Sequence, residues 1–206
     1  MALNVIQRVM DRTHPGPLYT FTSIQVIDAI LRLRGRSLGR GALARELGLG
    51  DGAVRTLINA LKDHELIEVR KEGCVLTEKG NKTYSSLRKN ISLPEEVGAS
   101  PLTLGAHNIA IRVKGHADSI TTGVQERDEA IKEGGTGATI LLFSNNLFKM
   151  PSGPDDCEKE YPDPIWDWLR LHLKVSQGDT IILGSGATQL EARRAALAVV
   201  RRLLRL

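Results

Sequence analysis

The chain has 206 residues, 41% of them hydrophobic and 25% charged, which is the composition of a folded globular protein and excludes a disordered or fibrous one. No apolar run approaches the about 18 residues that span a bilayer, and the polar N-terminal stretch lacks the apolar segment of a secretory signal. We therefore expect a cytoplasmic protein without membrane contact, and two widely spaced cysteines, Cys74 and Cys157, predict neither a disulfide scaffold nor a zinc site.

The net charge of +4 is distributed unevenly. Residues 1–90 contain 15 Lys and Arg against 9 Asp and Glu, hence +6, whereas residues 91–206 contain 13 against 15, hence −2. Positive potential attracts polyanions. The asymmetry therefore favours a nucleic-acid partner for the N-terminal part, with chance variation as the alternative.

Three helices are predicted in the N-terminal part. Thr22 and Gln25 form a capping box before apolar residues at helical spacing, and this first helix ends near Gly35. The segment ALARELGLG predicts a short second helix that ends at Gly48. After a tight turn, Asp51 is expected to cap the third helix.

The third helix has two distinct faces. Its apolar residues recur at i, i+3, i+4 and i+7 and predict one buried stripe, formed by Val54, Leu57, Ile58 and Leu61. The opposite face carries short or hydrogen-bonding residues that suit a major groove. These residues are Gly52, Arg55, Thr56, Asn59 and Lys62.

A β-hairpin follows in LIEVRKEGCVLT, where apolar and charged residues alternate on either side of a glycine turn. The order of these elements resembles the winged-helix regulator superfamily: two helices, a turn, a third helix and a hairpin, followed by the junction VLTEKGNKTYSSL. The resemblance implies double-stranded DNA as partner, with the third helix in the major groove and the hairpin wing at the minor groove. Winged helices that bind proteins are the alternative, since Glu68 and Glu72 dilute the charge of the wing.

The resemblance also implies individual roles. Arg55, Thr56 and Asn59 become base-edge candidates, with Arg55 suited to guanine and Asn59 to adenine. Other cations become phosphate contacts, which position a protein without reading sequence. They are Arg40, Lys62, Arg70 and Lys71.

A second domain is predicted after a Pro- and Gly-containing linker. The boundaries are 1–90 for the winged helix, 91–105 for the linker and 106–206 for the second domain. Its strands and helices alternate, with capping boxes expected at Thr122 with Gln125 and at Thr188 with Glu191. This order predicts an α/β sandwich with a mixed sheet, so the whole chain combines α+β and α/β features. The stretch from Met150 to Pro164 is interpreted as a long loop.

Two places in the second domain are candidate ligand sites. The first is GSGAT, which contains Gly184, Ser185, Gly186 and Thr188 between a strand and a helix, where backbone amides favour an anion. It lacks a complete phosphate-binding fingerprint, and a tight strand-to-helix turn is the alternative. The second is a polar cluster on one strand-loop-helix unit, consisting of Lys114, His116, Asp118, Gln125, Arg127 and Asp128.

The polar cluster has several interpretations. Its spacings match no known catalytic or metal pattern, so we predict neither a catalytic residue nor a metal or other cofactor. A small, anionic effector is one interpretation, and ordinary surface charge is the other. An enzyme with an accessory winged helix, or a winged helix that binds protein in a larger complex, stays open as an alternative function.

The whole chain is similar to archaeal proteins in which a winged helix precedes an α/β domain of unknown function. The segments NIAIRVKG, GVQERDEAIKEGGTGATILLF, FKMP and GDTIILGSG carry this resemblance. It implies a transcription regulator but supplies no ligand. Leucines at heptad spacing in the last helix, Leu190, Leu197 and Leu204, either cover the sheet or form a dimer contact. Because such regulators generally bind two-fold sites, we expect a homodimer.

Overall fold

The structure is a computed structural model that describes residues 3–11 and 19–206. The chain divides into two compact units, an N-terminal unit of residues 1–89 with Leu206, and a C-terminal unit of residues 90–205. Within the described residues, no helix combines the length and the apolar character needed to cross a bilayer.

The N-terminal unit is mainly helical with a small two-stranded sheet. Its elements in chain order are α1 (Asn4–Met10), α2 (Ser23–Leu33), α3 (Arg40–Leu47), α4 (Asp51–Asp63), β1 (Ile67–Arg70), β2 (Gly73–Leu76) and α5 (Glu78–Asn90).

The helix boundaries follow local capping chemistry. The capping box of α2 is confirmed, since the Thr22 N–H donates to Gln25 Oε1 at 2.8 Å and the Ile24 N–H donates to Thr22 Oγ1 at 3.3 Å. α3 ends as predicted at Gly48, which adopts a left-handed φ of 60°. The predicted cap of α4 is wrong: Gly50 precedes the helix without a side-chain cap, and Asp51 occupies the first helical position. There its carboxylate still interacts favourably with the helix dipole.

The wing is a hairpin with a third chain segment beside it. β1 and β2 pair antiparallel from Ile67 with Leu76 to Arg70 with Gly73. Leu38 adds an isolated bridge to Cys74, with N–H to O distances of 3.1 and 2.8 Å in the two directions. A Cβ on Gly73 would lie 2.5 Å from the Leu38 carbonyl carbon, so the close approach of these segments requires glycine. Helices and hairpin together confirm the predicted winged helix.

The C-terminal unit alternates strands and helices. Its elements are β3 (Glu95–Val97), β4 (His107–Val113), a 3₁₀ turn (Ala117–Ser119), α6 (Val124–Lys132), β5 (Gly137–Ser144), β6 (Leu147–Lys149), α7 (Cys157–Glu160), α8 (Ile165–Leu173), β7 (Thr180–Gly186) and α9 (Gln189–Leu204).

The five strands form one sheet in the order β3-β4-β7-β5-β6, with every neighbouring pair antiparallel. The predicted mixed sheet is therefore wrong. β4 and β5 run in the same direction, as a strand-helix-strand unit should, but β7 lies between them and is antiparallel to both. The segment 91–105, for which a linker was predicted, contributes the edge strand β3.

Helices cover both faces of this sheet. α9 lies on one face, where Gly184 of β7 closely approaches Ala196, and α6 lies beside α9. The other face packs under α7 and α8, with a core that includes Phe148, Trp166 and Leu183. The indole N–H of Trp166 donates to the Tyr161 carbonyl at 2.8 Å. The sheet is therefore a buried middle layer, as the long apolar strands predict.

Candidate DNA-binding surface and effector site

α4 presents one polar face to solvent while its other face packs in the core. Val54, Leu57 and Leu61 are completely buried. All five residues predicted for the opposite face are exposed: Gly52, Arg55, Thr56, Asn59 and Lys62. The structure thus brings the predicted reading residues together on one helix surface, while their contact with bases stays a prediction.

The side chains on this face differ in the ion pairs and hydrogen bonds that they form within the protein. In the described part of the chain, neither Arg55 nor Lys62 has an acidic group within ion-pair distance. Thr56 is different, because its hydroxyl donates to the Gly52 carbonyl at 3.0 Å within the helix. The Thr56 side chain therefore offers its methyl group and its oxygen lone pairs to a partner, and Arg55 offers all of its donors.

The predicted phosphate contacts surround α4. Arg40 forms an exposed ion pair with Asp51 at 3.6 Å, and Arg70 is bound by Glu68 within the wing. Lys71 is exposed at the hairpin turn. Exposed ion pairs contribute only about 0–1 kcal/mol, so exchanging a carboxylate for a phosphate has a small cost.

One exposed cation was missed by the sequence analysis. Arg45 lies on α3, opposite the buried Leu43 and Leu47, and no acidic group within the described residues pairs with it. The helical spacing of Leu43 and Leu47 is a signal that could have placed Arg45 on the outer face.

A charge network fixes α2 against α3. Arg32 Nε lies 3.0 Å from Oδ2 of Asp28, whose side chain is 4% exposed, and Arg32 Nη1 lies 2.9 Å from Glu46 Oε2. Arg36 Nη2 contacts the other Glu46 oxygen at 2.9 Å. The two arginines and two carboxylates thus satisfy one another at the point where the second helix of the motif joins the core.

We expect the stability of the N-terminal unit to depend on Glu46 in a pH-dependent way. Burial alone would raise the pKa of this carboxyl, but hydrogen bonds from Arg36 and Arg32 outweigh burial and hold the pKa below its ordinary value. Such a group stabilises the fold above the unfolded-state pKa and loses this contribution as the pH falls through the folded-state pKa. Glu46→Gln should lower the unfolding free energy by about 1 kcal/mol at neutral pH, and this difference should vanish in acid.

Urea unfolding followed by the circular dichroism of the helices, at several pH values from neutral to acid, measures this difference. Glu72→Gln is the matched control, because Glu72 is exposed at the wing turn and takes no part in the network. A difference for Glu46→Gln that stays constant in acid would show that packing, rather than charge, is responsible.

The residues of GSGAT have a packing role in the structure. Gly184, Ser185 and Gly186 are buried in β7, and a Cβ on Gly184 or Gly186 would lie within 2.5 Å of an α9 backbone nitrogen. The Ser185 hydroxyl donates to Asn108 at 2.6 Å and accepts from the Leu104 N–H at 3.0 Å. Close packing of β7 against α9, rather than a tight strand-to-helix turn, therefore accounts for the two glycines.

The start of α9 is capped by its own chain. The predicted capping box is confirmed, with the Glu191 N–H donating to Thr188 Oγ1 at 3.2 Å. The Glu191 carboxylate in turn accepts from the N–H groups of Ala187 and Thr188, at 2.9 and 3.2 Å. A carboxylate of the protein thus occupies the place that the sequence analysis gave to an anionic ligand.

The predicted polar cluster separates into several environments. Lys114 is exposed after β4, and Asp118 is exposed in the 3₁₀ turn. Burial lowers the pKa of His116, and the positive charge of Arg205 lowers it further. Among the described residues, no group of three or more potential metal ligands comes together.

The residues of the polar cluster that lie on α6 also have separate partners. The predicted capping box is wrong, because Gly123 precedes α6 with a left-handed φ of 73° and Thr122 makes only a 3.4 Å contact with the Val124 N–H. Gln125 instead accepts a hydrogen bond from Arg202. Arg127 pairs with the adjacent Asp128 at 3.1 Å and also lines a surface cavity. Of the predicted ligand residues, Arg127 is the one that the structure places at this cavity.

The comparisons with known proteins divide the chain in the same place. Residues 25–91 match the CggR N-terminal DNA binding domain, and residues 104–203 match a domain of unknown function, DUF4443. A solved structure of a hypothetical protein from Pyrococcus horikoshii OT3 is similar, with a TM-score of 0.72 and 29% sequence identity over 90% of this chain and 94% of that chain. No curated protein matches the chain.

These matches confirm the predicted resemblance to archaeal helix-turn-helix proteins with a C-terminal domain of unknown function. The exposed face of α4 and the wing belong to the segment with the DNA-binding match, and the cavity belongs to the other. The chain thus joins a segment that matches the CggR N-terminal DNA binding domain to a C-terminal segment that matches DUF4443.

Proposed function

We propose that the protein is a homodimeric transcription regulator that reads duplex DNA through α4 and the wing, and whose C-terminal unit senses a small molecule. The exposed face of α4 carries this proposal, because Arg55, Asn59 and Lys62 project from a helix whose other face is fixed in the core. A rigid helix with exposed donors at one-turn spacing suits the major groove.

The chemistry of the face separates reading from positioning. Arg55 offers two parallel donors to guanine O6 and N7, and the amide of Asn59 matches the donor and acceptor of adenine. Lys62 in the last turn of α4 and Lys71 at the turn of the wing are assigned to phosphates, which position the protein without reading sequence. The wing, with its turn at Lys71, reaches the flanking backbone.

Selection of genomic DNA fragments by the purified full chain, at about 50 and about 200 mM salt, tests the proposal. We expect enrichment of a two-fold symmetric motif. Each neutralised phosphate contributes about −0.9 to the slope of log K against log salt, so four phosphate contacts (Arg40, Lys62, Arg70 and Lys71) predict a slope of about −3.6 per winged helix.

Other outcomes of this selection would contradict the homodimer or the proposed function. Enrichment without symmetry would support a monomeric reader and contradict the homodimer. Binding that does not depend on salt, or the absence of any enriched sequence, would contradict the function itself and favour a winged helix that binds protein. Light scattering of the free protein and of the complex measures the number of chains directly.

A further inference from the structure

The outer edge of β5 is only partly covered by its neighbour. β6 pairs with Leu142, Phe143 and Ser144 but not with the earlier part of β5. Beyond Lys149 the chain turns away, and this turn is closed by a hydrogen bond from the Gly153 N–H to the Met150 carbonyl at 3.1 Å. A short notch is left along the edge of β5, between the end of β6 and the start of the strand.

Backbone polar groups point into this notch. Hydrogen-bonding directions alternate along a strand, and the Phe143 N–H donates to Asp179 on the β7 side at 2.9 Å. Odd-numbered residues of β5 therefore direct their backbone N–H and C=O groups toward β7. Ala138 and Ile140 direct theirs to the opposite side, away from the sheet. Among the described residues, these outward groups make no hydrogen bond. Both residues line the cavity at this edge, so a ligand bound there can supply hydrogen-bond partners for these backbone groups.

The notch is a cavity of about 180 Å³. Pockets that enclose drug-sized ligands measure roughly 300–1,000 Å³, so this cavity suits a smaller molecule. Its walls come from the start of α6, the edge of β5 and the turn after β6. The lining includes Gly123, Arg127, Ala138, Ile140, Met150 and Pro151.

The lining combines one cation with apolar walls. Arg127 is half exposed, and its pairing with Asp128 uses only part of its five donors. Ile140, Met150 and Pro151 supply the apolar contact. A ligand for this site carries an anionic group for Arg127, a donor and an acceptor for the strand edge, and a small apolar body.

We propose that this cavity binds a free α-amino acid with a small apolar side chain. Its carboxylate accepts hydrogen bonds from Arg127 and from an outward N–H of β5, and its ammonium group donates to an outward carbonyl of Ala138 or Ile140. The side chain packs against Met150 and Pro151. The same edge is too short for the strand of a second chain, since Met150 and Pro151 close one end of it. The assignment rests on the proposed role of the C-terminal unit as a sensor.

Calorimetric titration of the full chain with each of the twenty amino acids, in the absence of DNA, tests the site. We expect one or a few small apolar amino acids to bind, and their methyl esters to bind at least tenfold more weakly because the ester removes the carboxylate charge. Arg127→Gln should weaken binding at least tenfold. Lys132→Gln, an exposed position on the same helix, should leave the affinity unchanged.

Two results would overturn the assignment: no amino acid binds, or an amino acid binds to Arg127→Gln with unchanged affinity. Thermal unfolding of both variants without ligand verifies that they fold. Because the titration uses no DNA, it can fail while the genomic selection succeeds, and the reverse outcome would show an amino-acid site in a protein with another function. A shift of operator affinity on adding the bound amino acid connects the two sites.

Discussion

Arg55→Ala should reduce discrimination at one base pair of each half-site by about 1–3 kcal/mol, and Asn59→Ala should do the same at a neighbouring base pair. Arg55 has no intramolecular partner among the described residues, so its loss removes base contacts without breaking a bond within the protein. Equilibrium binding to a set of operators, each with one base pair changed, measures the effect. The wild type should reject a changed base at these positions, whereas the variant should bind all four base pairs there almost equally.

Two control variants separate reading from general loss of affinity. Lys62→Gln should weaken binding to every operator by a similar factor and reduce the salt slope by about one. Thr56→Val should have a smaller effect than Arg55→Ala, because the Thr56 hydroxyl donates to Gly52 within the helix, so the variant keeps the methyl group and loses only the oxygen lone pairs. If Arg55→Ala weakens all operators equally, as Lys62→Gln does, Arg55 contacts phosphate and the reading assignment is wrong.

Local sequence patterns predicted helices well but their caps less reliably. The pairs Thr22 with Gln25 and Thr188 with Glu191 form capping boxes, whereas Thr122 with Gln125 does not. In the third segment the residue that follows Thr122 is Gly123. This glycine adopts a left-handed conformation, so the helix starts after it and Thr122 does not occupy the capping position. The capping motif alone does not contain that information.

Features that depend on distant parts of the chain could not be predicted. The position of β7 between β4 and β5 decides that the sheet is antiparallel, and β7 comes late in the sequence. The same limit applies to the cavity, because its lining joins the start of α6, the edge of β5 and the turn at Met150. The sequence singled out Arg127 together with its neighbours along the chain. In the fold Asp128 pairs with Arg127 itself, whereas Gln125 accepts a hydrogen bond from Arg202 of α9.

The glycines of GSGAT are expected to act on stability rather than on ligand binding. A Cβ on Gly184 would lie 2.4 Å from the Ala196 nitrogen and 2.7 Å from the Ala192 carbonyl oxygen, and both atoms belong to the backbone of α9. Backbone of a long helix cannot rotate away as a flexible side chain can, so the whole of α9 has to move off the central strand of the sheet. Overpacking of this kind costs about 1–3 kcal/mol and more when backbone must shift.

Gly184→Ala should therefore lower the stability of the C-terminal unit by about 3 kcal/mol, which corresponds to a fall in melting temperature of more than about 10 °C for a domain of this size. Trp166 and Trp168, the two tryptophans of the chain, both lie in that unit, so tryptophan fluorescence reports its unfolding separately. Gly98→Ala is the matched control in the same unit, because nothing lies within 4 Å of the added Cβ. An unchanged midpoint for Gly184→Ala would mean that α9 does not hold Gly184 this closely, and the anion-binding interpretation of GSGAT would regain its support. A large fall with unchanged DNA affinity would show that this glycine serves the contact between β7 and α9 while the winged helix folds and binds on its own.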